Sequence, residues 1–278
     1  MKYCCFNLRF LALLCLSAVV ANAASPLANV KVISTKGTIS YGAPGSEDIP
    51  LIENTILSEG DSIITGSSGV AHLVFSNGAG LTIEENTNLV FSKLKQKPYW
   101  KDNPEEYPKE EISNSTTELE LKYGNLKGNV GGLRQDSEFR IKTKLGDVLV
   151  SGNSFFVGLY YDSIRQEFVF DVKNIDGKVD LVTKFSGPIE LARNGTAKKS
   201  YDPEADALKL VRIPPGKTFS VQKSSLSPEF RNYVKQFPKD TTSRFASDDK
   251  FTQPYPNDQE VMVVSPNGTE GTEFTSSQ

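Results

Sequence analysis

Residues 59–91, EGDSIITGSSGVAHLVFSNGAGLTIEENTNLVF, constrain the fold more tightly than any other stretch of the chain. In residues 70–75, Ala71, Leu73 and Phe75 share one face and Val70, His72 and Val74 the other. An Asn77-Gly78 dipeptide follows, and then Leu81 and Ile83 alternate with Thr82 and Glu84. Successive strand side chains point to opposite faces, so each run reads as one strand. Two such runs joined by Asn-Gly are the strongest short-range hairpin signal a sequence carries, with Gly80 placed to add a bulge. A Gly60-Asp61 corner precedes them. The stretch holds no obvious nucleophile, metal-ligand set or phosphate cradle, so it speaks to architecture rather than chemistry.

The same period recurs along the chain. Residues 29–41 read as two short strands around Lys36-Gly37, and residues 41–52 as a polar loop broken by Gly42, Pro44, Gly45 and Pro50. Leu119, Leu121 and Tyr123 oppose Glu120 and Lys122, while Phe139 and Ile141 oppose Arg140 and Lys142. Further strands are expected at 147–157, 166–173, 178–184, 186–191 and 207–213, and through Phe219 and Val221. Many short strands with almost no helical period make an all-β chain, either β-solenoid-like or a β-sandwich. Gly37, Gly124, Gly128 and Gly177 each precede a strand and are expected at turns that need positive φ. Their spacing is irregular, so they mark no clean repeat. One short helix is expected in 223–238, with Ser227-Pro228-Glu229 as its start and Pro238 as its stop. Its stripe of Phe230, Tyr233, Val234 and Phe237 suits a lid on the β core. Residues 239–278 are polar and expected to be disordered, although 261–264 (VMVV) can add an edge strand.

Residues 1–23 read as a secretory signal. Lys2 and Arg9 precede an apolar run over 10–20, and Ala21-Asn22-Ala23 is a small-x-small cleavage site. The run is shorter than the roughly 20 residues a membrane span needs. Leu14 before Cys15 is too bulky for a lipid-modified cysteine. Cys4, Cys5 and Cys15 all lie in this segment, so the mature chain has no disulfide to lean on. Residues 24–222 are expected to form the all-β domain and to bury a core without such staples. Without Lys2 and Arg9 the chain carries 29 basic residues against 34 acidic ones. That balance argues against nucleic acid as a partner. No other stretch reaches spanning length, which places the mature chain in the periplasm or outside the cell.

Residues 95–117 (KQKPYWKDNPEEYPKEEISNSTT) break the alternation with three prolines and many charges, and read as a surface insertion. Tyr99 and Trp100, the only tryptophan, are its candidate binding residues, suited to stacking on a sugar ring or anchoring a partner protein. The blander alternative is that Trp100 pins the loop to the body. Catalytic residues are harder to find. His72 is the only histidine and sits mid-strand, where a satisfied strand histidine is the simpler reading. One histidine without mature cysteine assembles no zinc site. Asp202, Glu204 and Asp206 alternate like calcium ligands but lack the turn glycine and the distal glutamate. The Asn-x-Ser/Thr triplets at Asn114, Asn194 and Asn267 carry little weight in loops of this composition. A separation between two carboxylates suited to glycoside hydrolysis is spatial and cannot be read here. No catalytic residue, metal or cofactor is therefore assigned.

In order along the chain, VISTKGTI (32–39), LSEGDSIIT (57–65), AHLVFSNGAGLTI (71–83), LELKYGNLKGNV (119–130) and FRIKTKLGDVLVSGNSFFV (139–157) form a series, continued by KNIDGKV (173–179) and PGKTFSV (215–221). The series resembles the FecR-type domain, the extracytoplasmic domain of the bacterial ferric-citrate regulator family. The resemblance implies a β-solenoid-like, non-enzymatic domain that works through protein or ligand contacts. Where relatives carry Arg-Gly-Thr before a Phe, this chain has Asn153-Ser154 before Phe155, so any contact of that arginine is not carried over. Sigma-regulator relatives place a cytoplasmic helical domain and a membrane span before this domain. This chain opens on a signal and resembles a stand-alone exported form. The expected function is a binding or signalling-accessory role in a bacterial envelope, with an envelope protein or a glycan as partner. The alternatives are a carbohydrate-binding or carbohydrate-active protein and a structural matrix component.

Overall fold

A computed structural model describes residues 28–98, 107–152, 154–162, 165–186, 195–205, 207–223, 231–233, 235 and 237, together with the strands 251–253 and 262–264. The first half contains β1 (Val30–Lys36), β2 (Ile39–Gly42), β3 (Ile49–Pro50), β4 (Ile56–Leu57), β5 (Ser62–Thr65), β6 (Val70–Phe75), β7 (Gly80–Ile83), β8 (Asn88–Gln96) and β9 (Ser115–Asn129). The second half contains β10 (Glu138–Thr143), β11 (Gly146–Val150), β12 (Ser154–Asp162), β13 (Glu167–Asn174), β14 (Val179–Thr183), β15 (Thr196–Ser200), β16 (Lys209–Ile213) and β17 (Lys217–Lys223). The all-β expectation holds.

The pairing divides into two layers that share one strand. The first runs β3–β2–β5–β8–β9–β10–β11–β14–β16. The second runs β4–β1–β6–β7–β9–β12–β13–β17–β15. All these pairings are antiparallel except β9–β10 and β15–β17. Residues 115–123 of β9 pair in the first layer and residues 124–129 in the second, with the change at Gly124. Gly124 has φ +103°, and a Cβ there would lie 2.2 Å from Thr87 Oγ1. Thr87 is fully buried, and its hydroxyl accepts from Asn125 N at 2.9 Å. Its own N–H donates to Thr65 Oγ1 at 2.8 Å. The corner is thus closed by hydrogen bonds that take the place of a regular ladder.

The two apolar faces meet in one core. Phe75 of β6 stands 6.2 Å from Phe91 of β8 and 5.6 Å from Phe139 of β10, and Phe139 reaches Phe155 of β12 at 6.3 Å. Each contact crosses between layers, and all four rings are buried. Ring pairs of this kind are worth about 0.5–1.5 kcal/mol beyond their burial. Gly128 lies flat against Phe155, where a Cβ would meet the ring at 2.2 Å. That corrects the turn expected there: Gly128 sits inside β9 and makes room for a ring. Gly37 and Gly177 do have positive φ, at +73° and +99°.

Other boundaries move in the same way. The single strand expected over 147–157 is two, β11 and β12, which join different layers. The loop between β6 and β7 spans Ser76, Asn77 and Gly78, with only Gly78 at positive φ (+86°), and Phe75 N–H donates to Ala79 O at 2.8 Å. This is the three-residue hairpin loop rather than a two-residue turn. Residues 231–233 are helical, and Tyr233 and Phe237 are buried against Tyr123 and Phe168 at one end of the core. β18 (Phe251–Gln253) and β19 (Met262–Val264) pair antiparallel as a separate ribbon, so the apolar run at 261–264 joins neither layer. The first 27 residues, the strand expected at 186–191 beyond Ser186, and the rest of the tail lie outside the described residues. No helix among the described residues is long and apolar enough to cross a membrane.

Candidate functional site

The insertion is the one long connection between neighbouring strands of the first layer, leaving β8 after Gln96 and entering β9 at Ser115. Its two arms are tied where they leave the sheet. Lys97 N–H donates to Asn114 O at 2.9 Å and Ser113 Oγ to Lys97 O at 2.6 Å. The returning arm then folds over the hairpin loop at Asn77-Gly78. Tyr107 is buried and donates its hydroxyl to Asn29 Oδ1 at 2.7 Å. Gly78 passes so close beneath that a Cβ would lie 2.6 Å from Pro108 O.

Glu111 anchors this arm. It is 6 % exposed, and its Oε1 accepts from Ser115 Oγ at 2.5 Å. Its Oε2 accepts from Arg134 N at 2.6 Å and Ser137 Oγ at 2.5 Å. Asn77 completes the set from below, with Nδ2 donating to Ser115 Oγ at 3.0 Å and Oδ1 accepting from Ala79 N–H at 3.0 Å. A buried carboxylate is tolerated only when its acceptor sites are filled in this way. Beside this network a shallow cavity of about 210 Å³ opens, lined by Lys95, Gln96, Lys97, Asn114, Thr116 and Asp136 among others. It is polar, with no catalytic pairing. Tyr99 and Trp100, the candidate binding residues, lie outside the described residues, between the two tied arms in sequence. The roles of Tyr107 and Glu111 were not legible, because this segment has no apolar period to mark them as buried.

The remaining chemical candidates are structural. His72 Nδ1 lies 2.9 Å from Thr82 Oγ1 on the neighbouring strand. Burial lowers the histidine pKa below its ordinary 6.5, opposed by the nearby Glu84 carboxylate. Asp202 lies on a wider open groove of about 660 Å³ that Lys198, Tyr201, Glu204 and Lys223 also line. Its carboxylate accepts from Ser186 Oγ at 2.5 Å and from Glu204 N–H at 3.1 Å, and these bonds hold its pKa below the usual carboxylate range. It serves its own turn. Among the described residues no three His, Cys, Asp or Glu side chains cluster as a metal site.

Residues 61–180 match the family described as FecR protein. The chain carries a FecR-like domain. The match begins just before β5 and ends within β14, so the FecR-like segment includes the hairpin loop, the insertion and all of β9. Two solved structures, at 2.50 and 1.65 Å and each described as "a putative anti-sigma factor" from Parabacteroides distasonis, are similar at 18 % identity. The likeness covers 58 % of this chain and 54 % of theirs, with a TM-score of 0.36. The chain therefore spans about half the length of those structures. None of the curated proteins matches it.

Proposed function

We propose that this is an exported FecR-like binding or signalling-accessory protein of a bacterial envelope, acting through protein or ligand contacts rather than by catalysing a reaction. The FecR match over residues 61–180 carries this reading. The geometry supports it: the insertion stands on a rigid base formed by Glu111, Asn77 and the tied arms, as a presented recognition loop requires. Residues 1–23 serve as the export signal in this reading, residues 24–222 as the domain, and 95–117 as its contact-bearing insertion.

Two measurements test it. Mass spectrometry of the protein recovered from the cell envelope or medium is expected to find a mature N-terminus at Ala24. A chain retained in the cytoplasm with Met1 intact would end the export reading. Purified protein incubated with cell-wall and extracellular polysaccharides is expected to release no product, and hydrolase or lyase activity would overturn the non-catalytic reading.

A further inference from the structure

The outward face of the second layer is covered. Strand alternation turns Leu81, Leu126, Val157 and Phe170 toward the core, and so turns Val74, Thr82, Phe156, Val169 and Ser220 away from it. Those five outward residues are 1 %, 6 %, 3 %, 3 % and 2 % exposed. Side chains on a bare sheet face are not shielded to that degree by neighbours on the same sheet. The first layer supplies the contrast: the outward side chains of Glu118, Lys142 and Arg212 are 19 %, 41 % and 60 % exposed. Asn125 lies on the same covered face, 4 % exposed, with an Oδ1 that is buried and finds no donor. Every strand from β1 to β17 is already part of one layer or the other, so none of them crosses this face.

One described element approaches from outside. β18 comes up against β9. β9 is flanked by β8 and β10 and then by β7 and β12, and its inner side faces a filled core. β18 therefore approaches over an outer face, and the covered one belongs to the second layer. The segment around it carries apolar residues suited to such a face, among them Phe251, Met262, Val263 and Val264. We infer that residues 239–278 form a strap that lies across the outward face of the second layer. The face is a docking surface whose resident occupant is the chain's own C-terminal segment, and releasing the segment exposes an apolar patch fit for protein contact.

The test uses the full chain with Cys4, Cys5 and Cys15 changed to Ser, so that one introduced thiol is the only one present. Thr82→Cys samples the covered face, and Lys198→Cys, on an exposed position of β15, is the control. Maleimide is expected to label the thiol at 82 at least tenfold more slowly than the thiol at 198. Adding Phe251→Asp and Val263→Asp to the Thr82→Cys chain is expected to remove most of that protection while the far-ultraviolet circular dichroism stays unchanged. Equal rates at the two thiols would overturn the proposal, as would protection that survives the tail substitutions. Protection that disappears on dilution would assign the face to a second copy of the chain and would also overturn it.

Discussion

Gly124 takes φ +103° in the middle of a fifteen-residue strand, with Thr87 packed where a side chain would begin. Gly124→Ala must both adopt a left-handed conformation and displace a fully buried threonine. The expected cost is roughly 2–4 kcal/mol, read as a lower urea midpoint with an unchanged slope. At His72 the sign of the pH effect follows from burial. The folded protein holds the ring below its ordinary pKa of 6.5, so the unfolded chain binds the proton more readily. Stability from the neutral ring is therefore present above pH 6.5 and lost as pH falls through 6.5 toward the lowered value. Urea midpoints measured from pH 7.5 to 5 are expected to decline less steeply for His72→Gln than for the native chain. Of these two residues, the place of His72 was legible in the alternation of 70–75. Gly124 looked like a turn, because a glycine that bends a strand from one sheet into another has the same local signature as one that ends it.

At the level of elements, strands with clean alternation appeared where they were expected, and the losses came where tertiary contacts decide. β9 illustrates both. Its apolar positions are plain in Leu119, Leu121 and Leu126, yet nothing local says that residues 115–123 and 124–129 pair with different sheets. The insertion failed for the opposite reason, since Glu111 is charged, locally aperiodic and nonetheless buried. Glu111→Ala removes the acceptor for Ser115, Ser137 and the Arg134 amide together. Leaving buried donors unpaired costs about 1–3 kcal/mol, and faster hydrogen exchange over 107–117 is the expected sign that the arm has loosened. Phe237 makes a comparable test at the other end of the molecule. It packs on Tyr123 and Phe168, both of which face the core. Phe237→Ala is expected to cost roughly 3 kcal/mol by thermal or urea unfolding. Indifference to that change would show that the C-terminal stripe is not a lid.

On the scale of the whole molecule, the segment that matches FecR is smaller than the unit that folds. Residues 61–180 omit β1, which pairs with β6, and β17, which pairs with β13. They also omit β16, the outer neighbour of β14. A fragment limited to 61–180 would present those three strands with bare edges and is expected to aggregate without a cooperative melt. Residues 28–237 are expected to melt in one transition by calorimetry, because every layer is then closed by its own strands. The shared strand has a last consequence for how such a chain comes into being. As the ribosome delivers residues in order, β1 to β8 can begin both layers, but neither layer can extend past its midpoint until β9 has arrived. Neither reaches its far edge until β16 and β17 follow. The nascent chain thus carries two half-built sheets at once for most of its synthesis. That makes it a natural client for factors that hold unfinished polypeptides apart.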